Sequence, residues 1–235
     1  MRIDQRKADE LRPVRVTKDF MPNAGGSCLI EWGNTRLLVT ANYSESVPPF
    51  LKDSGRGWLT AEYAMLPGST LTRKPRERGK SDSRSVEIQR LIGRSLRSVM
   101  DFEASSGLTI QIDCDVIQAD GGTRTCAITG GYLALCLLAR KLLSEGKIER
   151  NPVKAPLAAV SAGIVDGAFL LDLCYAEDST AEADMNFVGS EDGSIAEIQI
   201  CGEKRTIRPE EFSALLALCQ KGVGELIALQ KEVLS

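Results

Sequence analysis

The sequence predicts an α+β protein with mixed sheets and packed helices, and three observations carry that prediction. Strand-like alternation and helix-like periodicity take turns along the 235 residues. Two-residue turn signals, Gly33-Asn34 and Asp166-Gly167, each sit between apolar runs, one in each half of the chain. Two long apolar stretches, 123–144 and the region opened by Pro209, have helical length. Hairpin, acidic segment and helix occur in the same order twice, which suggests two pseudo-repeated halves within a single domain over 1–235.

Taken in order, residues 15–44 read as strands, with Gly33-Asn34 turning between 28–32 and 36–43. A connection rich in proline and glycine runs through Thr70, and a basic loop follows over 72–83. Val86, Ile88, Leu91, Ile92, Leu96, Val99 and Met100 recur at helical spacing across 84–102. On the opposite face, Arg90, Arg94 and Arg97 form a basic ridge. Residues 108–118 alternate as a strand, and 123–144 is a buried helix ending before Gly146. A second hairpin covers 157–165 and 169–174, with strands near 183–188 and 194–201. The final helix runs from Pro209 to Leu234, with Gly222–Gly224 as the place where it would break.

Composition narrows the chemistry. There is no histidine, which excludes Ser-His and Cys-His nucleophilic machinery and every histidine-bearing metal site. Seven cysteines are scattered without a Cys-x-x-Cys pair, and most lie in apolar segments, so they read as reduced core residues of a cytoplasmic protein, not as zinc ligands or disulfides. The amino terminus has no signal-peptide pattern, and no run is expected to span a bilayer. Net charge is −3, yet 72–97 holds nine basic and three acidic residues. Such a basic stripe on an acidic body suits a polynucleotide backbone. Within it, Arg73, Arg76 and Arg78 have no aromatic neighbour for base stacking, so their expected role is tracking the phosphates of such a backbone.

The most informative stretch is 115–125, Asp-Val-Ile-Gln-Ala-Asp-Gly-Gly-Thr-Arg-Thr. An apolar strand runs into Gly121 and Gly122, and a buried helix starts with Thr123 and Arg124. Two glycines let backbone N–H groups approach an anion, and the helix adds the positive end of its dipole. A plain strand-to-helix turn with Thr123 as N-cap explains the glycines equally well. An arginine in the first helical turn opposes the dipole, however, and an anion bound there resolves the conflict. Asp178 and Asp184 make a second constellation. Alternation puts Asp184, Asn186 and Val188 on one strand face, with Ala183, Met185 and Phe187 on the other. Oxygen donors of this kind, completed by waters and a substrate phosphate, describe a Mg²⁺ site. Asp113 and Asp115 share a strand face and could add to that metal site, but the favoured expectation is a structural role, bonding neighbouring arginines.

Several segments together resemble the ribonuclease PH family of phosphate-dependent 3′-to-5′ exoribonucleases, which trim tRNA ends. They are the 112–125 stretch, Glu10-Leu11-Arg12-Pro13, Val47-Pro48-Pro49-Phe50-Leu51, and the run Gly57-Trp58-Leu59-Thr60-Ala61-Glu62-Tyr63-Ala64-Met65-Leu66-Pro67. Glu87-Ile88-Gln89-Arg90-Leu91-Ile92-Gly93-Arg94, Glu177-Asp178 and Ala183-Asp184-Met185-Asn186 complete the set, in the family's order. The resemblance implies a ribosomal-protein-S5-like βαβ fold and a ring, typically a homo-hexamer built as a trimer of dimers. It implies that inorganic phosphate, the co-substrate, is held by Arg84, Gly122, Thr123 and Arg124. It also implies that Asp178 and Asp184 are the catalytic, metal-associated pair and that RNA 3′ ends, especially tRNA precursors, are the substrates. Gln5, Asp82 and Ser83 depart from the family pattern, and Asp82 is expected to weaken the positive field at Arg84. Two other readings stay open at this point: a non-catalytic RNA-binding ring subunit, and a hydrolytic metal-dependent nuclease.

Overall fold

The computed structural model describes residues 2–76 and 82–235. The first half builds a five-stranded sheet from β1 (Val14–Lys18), β2 (Gly26–Trp32), β3 (Thr35–Ser44), β4 (Trp58–Met65) and β5 (Thr109–Gln118), ordered β1-β2-β3-β5-β4. Every neighbouring pair is antiparallel except β4 and β5, which run parallel, so the sheet is mixed. A parallel pair needs a crossover, and α1 (Ser83–Ser98) supplies it. The period-two pattern decides which face is dry: Leu37, Val39 and Ala41 of β3 and Ile110, Ile112, Cys114 and Val116 of β5 are buried on one side.

The second half forms an antiparallel sheet, β7-β6-β8-β9, from β6 (Leu157–Val165), β7 (Ala168–Leu171), β8 (Ala183–Ser190) and β9 (Ile195–Cys201). Between the sheets lies α2 (Thr123–Ser144), packed on β2 and β3 from one side and β6 from the other. Contact on both sides is why α2 is apolar nearly all round instead of amphipathic. Thr129 fastens it to the second sheet: its hydroxyl donates to the Ala159 carbonyl at 3.2 Å and accepts from the Ala159 N–H at 3.1 Å. Beside α2 runs α4 (Pro209–Leu234), packed on β6, β7 and β8, with Gln230 donating to the Thr129 carbonyl of α2 at 3.2 Å and Lys18 of β1 donating to the Val233 carbonyl at 3.0 Å. One apolar cluster joins side chains from both sheets with α1, α2 and α4.

Several expectations need correction. Residues 58–65, read as part of a connection, form β4; its inward residues Leu59, Ala61 and Tyr63 do alternate, but Gly57 and Pro67 flank a strand of modest hydrophobicity. The helix expected over 84–102 stops at Ser98, and Val99 and Met100 are buried beyond its end. A one-turn helix, α3 (Tyr175–Asp178), was not anticipated, being too short for periodicity to reveal. The last helix passes Gly222 unbroken, because that glycine packs against Leu171 of β7. The basic ridge is not uniform: Arg97 folds over the Trp58 ring at 4.8 Å and donates to the Leu59 carbonyl, while Arg94 pairs with Glu197 of β9. Both α2 and α4 are long and apolar enough to cross a membrane, contrary to the expectation that no run is. Here they face the two sheets.

Candidate active site

The chain leaves β5 and turns through Asp120, Gly121 and Gly122 into α2. Gly121 (φ +75°) and Gly122 (φ +65°) are both left-handed, a region that side chains with a Cβ avoid. Gly121 also lacks room, since a Cβ there would lie 2.7 Å from the Leu173 carbonyl oxygen and 2.8 Å from the Tyr175 nitrogen. Gly122 is the N-cap of α2, with no side-chain cap and no acidic residue in the first turn. Among the described residues, neither a capping side chain nor a first-turn carboxylate meets the positive end of this 22-residue helix.

Thr123 is not the N-cap that the sequence suggested. Its buried hydroxyl accepts a bond from the Tyr63 hydroxyl at 2.8 Å, which leaves its own proton to donate elsewhere. Burial pushes the Tyr63 phenol up, so it stays a neutral donor. Thr125 closes the turn instead, donating to the Gly122 carbonyl at 2.9 Å. Beneath the loop, the expected hairpin turn acts as a support. Thr35 donates to the Gly121 carbonyl at 2.7 Å and accepts from the Asp120 N–H at 3.0 Å, and the Asn34 amide donates to the Asp120 carboxylate at 3.1 Å.

Arg124 projects from the first turn of α2, partly exposed. Its Nη1 donates to Gln199 Oε1 of β9 at 3.1 Å and lies 3.6 Å from Glu87 of α1. Arg84 stands exposed in the first turn of α1. The departure at Asp82 has a structural use: it is the N-cap of α1, accepting from the Arg84 N–H at 3.4 Å, and it pairs with Lys74 at 3.3 Å. Its charge is thus engaged by a helix start and a lysine.

The two aspartates come within each other's electrostatic reach from different elements. Asp178 ends α3, and Asp184 is the second residue of β8. The Asn186 amide, two residues along the same strand face, donates to Asp184 Oδ2 at 3.3 Å. Asn186 in turn is registered against Gln199, the residue that receives Arg124. Burial raises the proton affinity of Asp178 above that of an exposed carboxylate, and the positive charges of Arg124 and then Arg84 oppose that rise. Asp184 is raised by burial and then by the charge of Asp178, with Arg124 again opposing. Arg84, Arg124, Asp178 and Asp184 therefore share one electrostatic neighbourhood.

Among the described residues, no trio of histidine, cysteine, aspartate or glutamate gathers to hold a metal. Two carboxylates with an adjoining amide fit a hard cation that keeps several waters and takes other oxygens from a phosphate, which is how Mg²⁺ is commonly bound. Arg73 and Arg76 are exposed in the segment ahead of α1, whereas Arg78 lies outside the described residues. Asp113 and Asp115 are on the outer face of the first sheet, both with proton affinity raised by burial. Asp113 accepts from Thr40 at 3.4 Å, and the expected arginine partners are not there among the described residues. Reasoning from the sequence missed Tyr63, Thr35, Asp120 and Gln199 as neighbours of the loop. Tyr63 and Asp120 lie in motifs that carried the resemblance, but nothing in the sequence pointed to Thr35 or Gln199.

Comparison with known proteins adds independent findings. The profile described as the 3′ exoribonuclease family, domain 1, matches residues 10–140, and domain 2 of that family matches 155–222. The chain is 52% identical over 237 residues to a ribonuclease PH of Corynebacterium kroppenstedtii, covering 100% of this chain and 93% of that one. It is 51% identical over 232 residues to a ribonuclease PH of Neisseria meningitidis serogroup C, covering 98% and 96%. Among solved structures, rice (Oryza sativa) Rrp46 is similar with a TM-score of 0.81 at 18% identity, covering 100% of both chains. The Archaeoglobus fulgidus exosome with RNA bound to the active site is similar with a TM-score of 0.81 at 21% identity, covering 96% of this chain and 91% of that one. At these identities the two structures speak for the fold.

Proposed function

The chain belongs to the ribonuclease PH family of phosphorolytic 3′-to-5′ exoribonucleases, and we propose that its reaction is run at the junction of β5, α2, α3 and β8. One observation supports the assignment: the left-handed start of α2, bearing Arg124, lies in one electrostatic neighbourhood with Arg84 and the two raised carboxylates. In this reading inorganic phosphate sits on the N–H groups of the first turn, accepts a hydrogen bond from the Thr123 hydroxyl, and is gripped by the forks of Arg124 and Arg84. Two guanidinium groups offset its charge and aim one oxygen at the last phosphodiester phosphorus. That oxygen forms the new P–O bond while the bond to the 3′ oxygen of the preceding nucleotide breaks. The terminal residue leaves as a nucleoside diphosphate, and the RNA is one nucleotide shorter.

Asp178 and Asp184 would hold Mg²⁺, which supplies positive charge for the leaving 3′ oxygen. Asn186 keeps Asp184 oriented through its amide. Arg73, Arg76 and Arg78 track the RNA backbone. The substrates in this reading are RNA 3′ ends, above all those of tRNA precursors, and the active form is a homo-hexamer arranged as a trimer of dimers. Cytoplasmic residence agrees with seven cysteines that are all free.

The test is product identity. Incubation of the protein with an RNA bearing extra 3′ nucleotides and labelled orthophosphate should place the label in the β position of released nucleoside diphosphates. Unlabelled nucleoside monophosphates formed without orthophosphate would instead assign hydrolysis.

A further inference from the structure

We propose that Arg12 and Asp172 are positioning residues that lock the phosphate loop to the one-turn helix carrying Asp178. The inference rests on the roles proposed above for that loop and that aspartate. Arg12 precedes β1 and is only 5% exposed; Asp172 follows β7 and is 1% exposed. They meet through a fork: Nη2 donates to Oδ1 at 2.7 Å and Nε to Oδ2 at 3.0 Å. The Arg12 backbone N–H adds a bond to Oδ2 at 2.7 Å, and Trp32 Nε1 adds another at 2.9 Å. Nothing in the reaction described so far uses either residue.

The third arm of the guanidinium reaches the active site. Arg12 Nη1 donates to the Asp120 carbonyl at 2.6 Å, and Nη2 lies beneath Gly122, 3.0 Å from where a Cβ would be. One side chain therefore fixes the peptide entering the two glycines. Asp172, in turn, fixes the chain that leads into α3. It adopts a left-handed backbone at φ +55°, its N–H donates to the Ser161 carbonyl at 2.6 Å, and its carbonyl accepts from Arg2 at 2.9 Å and Arg6 at 3.1 Å. Arg2 also forks onto Glu177, with two bonds of 2.8 Å, and Glu177 is the residue immediately before Asp178. Glu177 Oε2 accepts from the Cys174 N–H at 3.2 Å, closing the turn.

A direct tether completes the frame. Asp120 Oδ1 accepts from the Tyr175 N–H, the first residue of α3, at 3.2 Å. The phosphate loop and the Asp178 turn are thus joined twice, once through Asp120 and once through the buried Arg12–Asp172 pair. A fork inside a dry interior fixes distance and angle together, which a single ammonium cannot do. The device would set the spacing between the bound phosphate and the carboxylate that serves the leaving oxygen.

The test uses the full chain with Arg12→Lys, which keeps the charge and loses the fork, and Asp120→Ala, which cuts the direct tether without entering the buried cluster. Steady-state phosphorolysis is measured with the RNA, orthophosphate and Mg²⁺ concentrations varied separately, and the folded fraction and assembly are measured alongside. The expected result is a fall in kcat of about 10- to 100-fold for Arg12→Lys, the size associated with displacements near 1 Å. The KM for RNA should stay within about twofold, because the frame's side chains are not among those proposed to track RNA. Asp120→Ala should show the same split in milder form. A folded Arg12→Lys with wild-type kcat, or a loss of rate that only follows loss of folded protein, overturns the proposal. Should Arg12→Lys not fold, Asp120→Ala with unchanged kcat overturns it. A wild-type protein that releases no nucleoside diphosphate would fail the underlying functional reading instead, so the two failures are distinct.

Discussion

Gly121→Ala is the substitution for which the structure gives the firmest arithmetic. Two costs add at this position. A left-handed backbone costs a residue with a Cβ about 1–2 kcal/mol. The new methyl would also lie 2.7 Å from the Leu173 oxygen, 2.8 Å from the Cys174 carbonyl carbon and 2.8 Å from the Tyr175 nitrogen, all backbone atoms that cannot rotate aside. Forcing an extra carbon into packed surroundings costs a further 1–3 kcal/mol or so. The total is about 2–5 kcal/mol of folding stability. Gly146→Ala is the matched control: its φ is +66°, but no atom lies within 4 Å of the added methyl, so only the conformational cost applies. Urea unfolding of both variants should show Gly121→Ala losing at least about 1 kcal/mol more than the control. The methyl relieves its clash by pushing α3 away from the loop, so kcat should fall by about 100-fold in the protein that remains folded. Equal losses of stability for the two alanines, or full activity in Gly121→Ala, would refute the close packing of loop against α3.

Two further outcomes are expected. Arg124→Ala should lose about a hundred- to thousandfold in phosphorolysis, equivalent to ~3–4 kcal/mol of transition-state stabilisation. It should unfold within about 1 kcal/mol of wild type, because its protein partners are an amide and an exposed Glu87 at 3.6 Å; near-normal trimming would remove it from the site. Asp184→Asn should abolish activity yet raise Tm at neutral pH in metal-free buffer. The sign follows from its raised proton affinity: such a carboxyl favours the folded state while protonated in both states, and that benefit is lost as pH climbs from the unfolded value through the higher folded one. The gain in Tm should vanish in acid below the ordinary carboxylate range, and a lowered Tm at neutral pH would contradict it.

The legible parts of this molecule are those written in local pattern. The hairpin at Gly33-Asn34, the strand that became β5 and the helix ending before Gly146 follow from turn chemistry and periodicity, and the structure has all of them. The strand β4 was hidden because its alternation uses small and polar residues between turn formers, so its place beside β5 depends on tertiary pairing. The glycine pair and Arg124 could be read from residue types alone as the loop proposed here to hold the anion. Their supports were not: Tyr63 lies 60 residues from Thr123, Thr35 lies 86 from Gly121 and Asp172 lies 160 from Arg12, and a chain read locally carries no sign of such contacts. Thr123 shows the limit most clearly. Its type and place suit an N-cap, yet the left-handed Gly122 takes that position and Tyr63 claims the hydroxyl.

The central claim is that inorganic phosphate docks on the first turn of α2 under Arg124 and Arg84. A crystal structure of the protein grown with phosphate or sulfate tests it most directly. The ion should lie against the backbone N–H groups that follow Gly122, within hydrogen-bond reach of the Thr123 hydroxyl and both guanidinium groups. Full density for Arg124 still bonded to Gln199, with the ion bound at another place on the surface, would contradict the account.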